Sequence, residues 1–287
     1  MLHFILGRAG SGKTYTARRM LGNLARQGAG KLMLLVPEQY SFESERAMLH
    51  LLGAKDVQRV EIFSFTRLAD TVFRKYGGIA GRRLDDGGKS ILMSLALEKL
   101  QDQLPLFERH SQTPELLQMM LSASAEMKQC SIPPEQLSSA AEAMEDGTLK
   151  EKAKEIALVL SCYDALVEQS YLDPLDDLTR VRKTLMEHDF FSGYTVVLDS
   201  FKSFTMQELK LLEIMLRQAK DVTVTLCADG LDDPEHGMGL FSLVKRTARQ
   251  VMRLARENAV PVAPPVVLEP AARFRNEELK ALEENIF

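Results

Sequence analysis

The sequence predicts an α/β fold in which an all-α module is inserted into a domain with a parallel sheet. At both ends of the chain, short apolar runs alternate with helical patterns, as is typical of βαβ units. Between these ends lies a stretch with apolar positions at helical spacing, punctuated by prolines and without a convincing strand. We therefore expect residues 1–84 and 191–287 to form one α/β domain and residues 85–190 to form the helical insert.

Each block has a definite set of expected elements. In the first block we expect strands at 3–6, 31–36 and 59–63 and helices at 13–27, 43–52 and 66–76. In the insert we expect helices at 90–103, 114–128, 134–143, 148–169 and 175–188. In the last block we expect strands at 194–198 and 221–227 and helices at 205–218 and about 239–258.

The composition predicts a cytoplasmic protein without a membrane segment. The hydrophobic content of 45% and the charged content of 26% are those of ordinary soluble domains. No apolar run reaches the roughly eighteen residues of a membrane helix. The three cysteines, Cys130, Cys162 and Cys227, form no CxxC pair, which argues for a reducing compartment and against a disulfide framework or zinc site.

Charge is distributed unevenly along the chain. The net charge of −4 is the balance of +8 in residues 1–84, −10 in residues 85–190 and −2 in residues 191–287. A basic first block suits a polyanionic partner such as a triphosphate or a nucleic-acid backbone. The alternative is that surface charge merely drifts along the chain.

Residues 7–14 fit the P-loop pattern GxxxxGK[ST] between a predicted strand and a predicted helix. In this pattern glycines let backbone N–H groups turn toward phosphates, the lysine reaches the β- and γ-phosphates, and the hydroxyl binds Mg²⁺. The helix that follows directs its positive end at the same anion. The predicted ATP-binding residues are Gly7, Arg8, Ala9, Gly10, Ser11, Gly12, Lys13 and Thr14.

The partner of a P-loop is a strand that ends in Asp and helps to hold Mg²⁺. The apolar run 195–198 leads into Asp199, which is the best candidate in the chain. We therefore expect Thr14 and Asp199 to bind Mg²⁺ together.

Three loops that follow strands carry aromatic, amide, hydroxyl or arginine side chains at one edge of the predicted sheet. They are residues 36–39, 64–68 and 199–205. Exposed aromatic rings there could stack on bases, and Arg67 could bind a phosphate or a guanine edge. Equally, Phe65, Phe201 and Phe204 could pack beneath the loops.

With these segments in view, the chain resembles the N-terminal part of the AddB (RexB) family, the second subunits of bacterial AddAB helicase–nucleases. Four segments match the family pattern in order, at residues 7–13, 34–39, 63–69 and 199–208, and the basic helix that ends near Arg256 is also similar. The resemblance spans nearly the whole chain. It implies a RecA-like P-loop domain, the 1A domain of a superfamily 1 helicase, with the helical subdomain 1B inserted.

The family resemblance also implies function. Members process DNA double-strand breaks with the AddA partner subunit in a heterodimer, and their AddB motor scans the emerging strand for the Chi sequence. By motif position, the resemblance implies DNA contacts at Gln39, Ser41, Phe65, Arg67 and Phe201. The family's nuclease and iron–sulfur cysteines are expected only in a missing C-terminal region, so we expect this chain to be a fragment of a longer protein.

One departure bears on catalysis. Helicase-type NTPases usually have a Glu after the Asp to take a proton from water, and here that position is Ser200. A serine hydroxyl is a poor general base near neutral pH. We therefore assign no catalytic residue and expect a degenerate motor that binds ATP and hydrolyses it poorly.

Two other functions are compatible with the sequence. A P-loop kinase would need an arginine-rich lid, whereas the insert is acidic and has only three arginines. A scaffold would bind a partner subunit through the helical insert, with the nucleotide structural or absent.

Overall fold

A computed structural model of the chain describes residues 1–107, 113–232 and 239–269, together with residues 276, 278, 279 and 281. Two compact units make up these residues. The first consists of the described residues of Met1–Thr71, Arg182–Phe204 and Glu208–Phe287, and the second of those of Val72–Val181 and Thr205–Gln207.

Strands and helices alternate at both ends of the chain. The first part contains β1 (Leu2–Gly7), α1 (Lys13–Arg26), β2 (Lys31–Leu35), α2 (Ser41–Asp56), β3 (Val60–Phe63) and α3 (Phe65–Tyr76). The middle part contains β4 (Arg82–Arg83), α4 (Asp86–Lys99), α5 (Pro114–Gln129), α6 (Pro134–Glu142), α7 (Thr148–Glu168), β5 (Tyr171–Leu172) and α8 (Asp177–Met186). The last part contains β6 (Tyr194–Leu198), α9 (Met206–Gln218), β7 (Asp221–Cys227), α10 (Ser242–Glu257) and β8 (Val266–Val267).

Six strands form a parallel sheet in the order β3-β2-β6-β7-β1-β8. The predicted α/β class, with a parallel sheet built from both ends of the chain, is confirmed. Strand β7 lies between β1 and β6. Phe4 of β1 pairs with Val224 of β7, and Val197 of β6 pairs with Thr223 of β7. Because all six strands run the same way, their carboxyl ends and the loops that follow them share one edge of the sheet.

The sheet is buried because its strands are almost continuously apolar. Four of the five residues of β2 and five of the seven residues of β7 are buried, as expected of a parallel sheet covered on both faces. Helix α1 packs on one face through Ala17, Leu21 and Ala25, which recur every four residues and contact the same apolar cluster as Leu34. Burying one leucine side chain of this kind stabilises the fold by about 1.5–3 kcal/mol.

The second unit has its own apolar core, centred on Met93, Leu97, Met120, Leu160 and Tyr163. The expectation that residues 85–190 contain no strand is wrong, because β5 pairs in parallel with β4. A two-residue strand is too short to leave a periodic pattern in the sequence, which is why it was missed. None of the described helices has the length and apolar character that crossing a membrane requires.

Helix α4 begins at Asp86, four residues before its predicted start. The Asp85 carboxylate caps the helix by accepting a hydrogen bond of 2.7 Å from the backbone N–H of Gly88. Glycines at positions 87 and 88 weaken the helical pattern of this first turn, whereas the cap contributes about 1 kcal/mol toward forming it.

A largely buried lysine, Lys128, joins elements of the second unit. The Lys128 ammonium donates to Asp173 at 2.8 Å and to Asp176 at 2.6 Å, and Asp173 is itself 2% exposed. Burial alone would lower the pKa of Lys128, but the carboxylates of Asp176, Asp164 and Asp173 outweigh it and raise that pKa above its usual range. The lysine therefore stays charged and ties α5 to the turn after β5.

Candidate nucleotide-binding site and adjoining cleft

The predicted P-loop connects β1 to α1 in the first unit. Strand β1 ends at Gly7, and helix α1 begins at Lys13. Gly10 and Gly12 have φ angles of 83° and 89°, a left-handed conformation that glycine adopts at little cost. Gly12 is the N-cap residue of α1, and no side chain caps this end of the helix. The first-turn N–H groups of α1 therefore have no side-chain acceptor, and the end of a helix in this state can bind an anion.

Gly7 is needed for a close approach within the loop. A Cβ atom at this position would lie 2.2 Å from the Ser11 Oγ, which is buried and has no hydrogen-bond partner within the described part of the chain. A larger residue at position 7 would displace Ser11 and change the loop.

The Lys13 side chain folds back over the loop. Its ammonium donates hydrogen bonds to the carbonyl oxygens of Gly7 at 2.7 Å and Arg8 at 2.8 Å. The positive charge is thus held at the loop by two carbonyl oxygens.

Asp199 lies at the carboxyl end of β6, is 1% exposed, and accepts hydrogen bonds from three hydroxyl groups. Its Oδ1 accepts from Thr14 at 3.3 Å and from Thr225 at 2.5 Å, and its Oδ2 accepts from Ser200 at 3.2 Å. Thr14 and Asp199 are 185 residues apart in the chain, and the sheet brings them together. Thr225 was not predicted; it lies on β7, between the two strands that carry the site.

These groups fit a magnesium ion held jointly with a nucleotide. In the described residues, no group of three or more His, Cys, Asp or Glu side chains could hold a metal ion by itself. Magnesium usually takes one or two carboxylates from the protein and the remaining ligands from phosphates and water. One carboxylate, Asp199, beside one hydroxyl of the predicted P-loop, Thr14, is the set of protein oxygens that this arrangement needs.

Ser200 follows Asp199 in a left-handed conformation, with φ of 68°. Its Oγ donates to Asp199. A left-handed backbone costs a non-glycine residue roughly 1–2 kcal/mol, so this position is constrained by its surroundings. The group next to the carboxylate is therefore a hydrogen-bond donor and not a second acid.

A cleft of about 420 Å³ lies beside this site in the same unit. It is lined by residues 36–40 after β2, residues 64–66 after β3, residues 200–203 after β6, and Glu208. The three loops that were predicted to share one edge of the sheet thus form one cavity. Glu38, Glu208 and Lys202 contribute both signs of charge to its lining.

Phe65 and Phe201, which line the cleft, pack together with Phe204. The ring centroids of Phe65 and Phe201 are 5.7 Å apart in an edge-to-face arrangement, and those of Phe201 and Phe204 are 5.0 Å apart. Each of the three side chains is at most 9% exposed. Of the two arrangements left open by the sequence, this structure has the rings packed beneath the loops.

The other predicted DNA contacts have different environments. Gln39 is exposed and lines the cleft. Ser41 is buried, and its Oγ has no hydrogen-bond partner among the described residues. Arg67 is partly exposed and forms an ion pair with Glu45 across α2 and α3. Gln39 and Arg67 are thus accessible, whereas Ser41 is not.

Two exposed aromatic side chains next to Gln39 were missed by the sequence reasoning. Tyr40 is 40% exposed and lines the cleft, and Phe42, at the start of α2, is 76% exposed. Their position directly after the LLVPEQ segment was the available clue, since exposed aromatic rings in a loop suit base stacking.

The chain resembles known proteins along its full length. The family model described as "ADDB, N-terminal" matches residues 4–283. A relative from Clostridium tetani, named as a subunit of an ATP-dependent helicase/deoxyribonuclease, is 33% identical over 295 residues, which cover 100% of this chain and 26% of the relative. Proteins of the same name from Acetivibrio thermocellus and Caldanaerobacter subterraneus subsp. tengcongensis are 31% and 34% identical and are each covered to 25%. The chain thus spans about a quarter of the length of these relatives.

Proposed function

The chain belongs to the ADDB N-terminal family, and on this premise we propose that it is the nucleotide-binding, helicase-like region of a helicase–deoxyribonuclease subunit. In this proposal residues 7–14 bind ATP, and Thr14 and Asp199 hold its Mg²⁺. The observation that carries the proposal is the hydrogen bond between Thr14 and Asp199, because P-loop NTPases use such a hydroxyl and carboxylate for the same ion.

Each side chain of the site has a distinct task in nucleotide binding. The Lys13 ammonium neutralises the β- and γ-phosphates, and the first-turn N–H groups of α1 donate to phosphate oxygens. Thr225 and Ser200 orient the Asp199 carboxylate through their hydroxyl groups. The bound Mg²⁺ would offset phosphate charge. The residue that follows Asp199 cannot take a proton from water, which supports the role of a degenerate motor.

The substitution Asp199→Asn tests the proposed metal site. The amide keeps the size of the side chain and its acceptor oxygen but removes the charge that attracts Mg²⁺. We expect Mg²⁺ to raise the ATP affinity of the wild type. In the variant, the ratio of ATP affinity with Mg²⁺ to that without it should be about tenfold smaller, since few protein groups bind this ion. The measurement is ATP titration with Mg²⁺ and with EDTA. The matched control is Asp221→Asn. Asp221 is the first residue of β7, at the edge of the sheet away from Asp199. Equal Mg²⁺ dependence in the Asp199 variant and the wild type contradicts the assignment.

We further propose that the cleft receives single-stranded DNA. The amide of Gln39 and the ring of Tyr40 would contact bases, and Arg67 and Lys202 would contact phosphates. The packed rings of Phe65 and Phe201 would then support the loops or open to admit a base. In the full subunit, this contact would serve DNA-end processing with a partner subunit, AddA, and scanning for Chi.

Binding of a fluorescent single strand should weaken steeply with salt, with a log–log slope of about −0.7 for each phosphate contacted. Gln39→Ala should weaken binding about fivefold or more, since a base contact contributes about 1–3 kcal/mol. Fluorescence anisotropy measures both. Gln27→Ala, at an exposed position after α1, is the matched control. Undetectable or salt-insensitive binding favours the alternative of a scaffold for a partner subunit.

A further inference from the structure

Helix α10 presents a row of arginines on its exposed side. The helix contains five basic side chains and one acidic side chain, Glu257. Lys245 is buried and forms an ion pair of 2.9 Å with Asp229, so it does not belong to the surface. The four remaining basic side chains are all exposed, and together we call them the arginine row: Arg246, Arg249, Arg253 and Arg256.

The spacing of the arginine row makes it straight. Its members occupy positions i, i+3, i+7 and i+10, which at about 100° per residue fall within an arc of about 80°. At about 1.5 Å per residue the row is about 15 Å long. The opposite side of α10 is anchored by the buried residues Ala248, Val251 and Ala255. The arginines therefore project from a helix that is held in place by its packing.

Little negative charge offsets the row within its own helix. Glu257 lies 3.7 Å from Arg253, and the two side chains are 59% and 67% exposed. An ion pair this exposed is weak and easily exchanged for another partner. The helix thus contributes a net positive field along the row.

We propose that the arginine row binds the phosphate backbone of duplex DNA. The phosphates of each strand recur every 3.4 Å along the axis of duplex DNA, so a row of about 15 Å extends over about four base-pair steps. The guanidinium group can donate two parallel hydrogen bonds to one phosphate, which suits arginine better than lysine for this contact.

The composition of α10 favours a duplex over other anionic partners. The helix has no aromatic side chain, so it offers unpaired bases no surface for stacking. Its one large exposed apolar side chain is Leu243, in the first turn. A protein interface would need an apolar centre, and membrane binding would need an apolar face. The exposed side of this helix has neither.

The buried side of α10 contacts a residue of the cleft. The Thr247 hydroxyl, which is 2% exposed and lies on the side of the helix away from the row, donates a hydrogen bond of 3.1 Å to the carbonyl oxygen of Lys202, which lines the cleft. The row itself faces away from this contact, so the proposed duplex site is distinct from the cleft and from the P-loop. The inference rests on the proposed function only in taking DNA as the ligand.

The test compares two quadruple variants of the chain that change the charge equally. The first replaces all four arginines of the row with glutamine. The control replaces four exposed lysines on other elements with glutamine: Lys99, Lys152, Lys183 and Lys220. Affinity for a hairpin-capped duplex of about 20 base pairs is measured by fluorescence anisotropy across a salt series. A third variant has lysine at the four positions of the row and so keeps the charge. Circular dichroism and thermal unfolding establish that each variant is folded.

We expect the glutamine variant of the row to bind the duplex about tenfold more weakly or worse. The slope of the logarithm of affinity against the logarithm of salt concentration should become less steep by about 3 to 4, since each phosphate contacted contributes about 0.9. The lysine variant keeps the charge but not the paired hydrogen bonds, so it should bind more tightly than the glutamine variant and less tightly than the wild type. The control should bind like the wild type. The row variant should bind single-stranded DNA and ATP like the wild type. Failure of the proposed function would appear in those two measurements, and failure of this inference would appear in duplex binding.

Four results would overturn the proposal. The first is no duplex binding by the wild type at low salt. The second is equal weakening of duplex binding in the row variant and the control. The third is an equal loss of single-strand binding in the row variant, which would assign the row to the unpaired strand. The fourth is that the row variant loses binding to phosphatidylglycerol vesicles while its duplex affinity is unchanged, which would assign the row to an anionic membrane surface.

Discussion

The substitution Lys13→Ala is expected to abolish measurable ATP binding. The ammonium is held over the P-loop by the carbonyls of Gly7 and Arg8, and in the complex it would face the β- and γ-phosphates. Removing one partner of a buried, hydrogen-bonded charge pair costs about 2–5 kcal/mol, which corresponds to about 30-fold or more in affinity. Isothermal titration with ATP and Mg²⁺ measures the change directly.

The fold should survive this substitution. Lys13 contributes two hydrogen bonds to the loop carbonyls, each worth about 1 kcal/mol, and thermal unfolding of the variant will report their loss. Lys99→Ala, which removes an exposed lysine from the end of α4, is the control for a general effect of charge. If the Lys13 variant binds ATP as tightly as the wild type, residues 7–14 are not the nucleotide site.

The chain by itself is expected to show negligible ATP hydrolysis, with or without DNA. Ser200 occupies the position next to Asp199 where a general base would be needed, and its hydroxyl is already engaged as a donor to that carboxylate. A well-placed general base contributes about 10²–10⁴ to the rate, so its absence should lower turnover by a similar factor. Phosphate release is measured in the presence of single-stranded and duplex DNA.

Two comparisons make this result interpretable. The Lys13→Ala preparation shows the background from contaminating ATPases, and the ATP titration shows that the wild type is loaded with nucleotide under the assay conditions. DNA-stimulated turnover that Lys13→Ala removes would mean that another group activates the water and that the motor is active.

The family and much of the fold could be predicted from local patterns. Four short segments in order, including residues 7–13 and 34–39, were enough for the resemblance to the AddB family, which is confirmed. Strands 194–198 and 221–227 were predicted with the bounds that the structure has, because continuous apolar runs between polar ends determine them. Helix ends were less accurate where caps and glycines decide them, as at Asp85.

Side-chain environments in the cleft were not predictable in the same way. Whether the rings of Phe65, Phe201 and Phe204 face solvent depends on how the loops after β3 and β6 meet. Hydropathy patterns cannot decide this, because an aromatic ring in a loop is compatible with both burial and exposure. Tyr40 and Phe42 are exposed, and their position directly after residues 34–39 marks them as candidates for base stacking without showing that their rings face solvent.

By itself the sequence determined the α/β class, the helical character of the middle of the chain, and the candidate P-loop with its lysine and threonine. These depend on residue spacing and glycine positions, which act over a few residues. Only the tertiary structure decided that Thr14 lies 3.3 Å from Asp199, that Thr225 donates to the same carboxylate, and that Lys245 turns inward while the arginine row stays exposed. The reason is that strand order and helix packing bring together groups far apart in the chain, and no local pattern encodes those contacts.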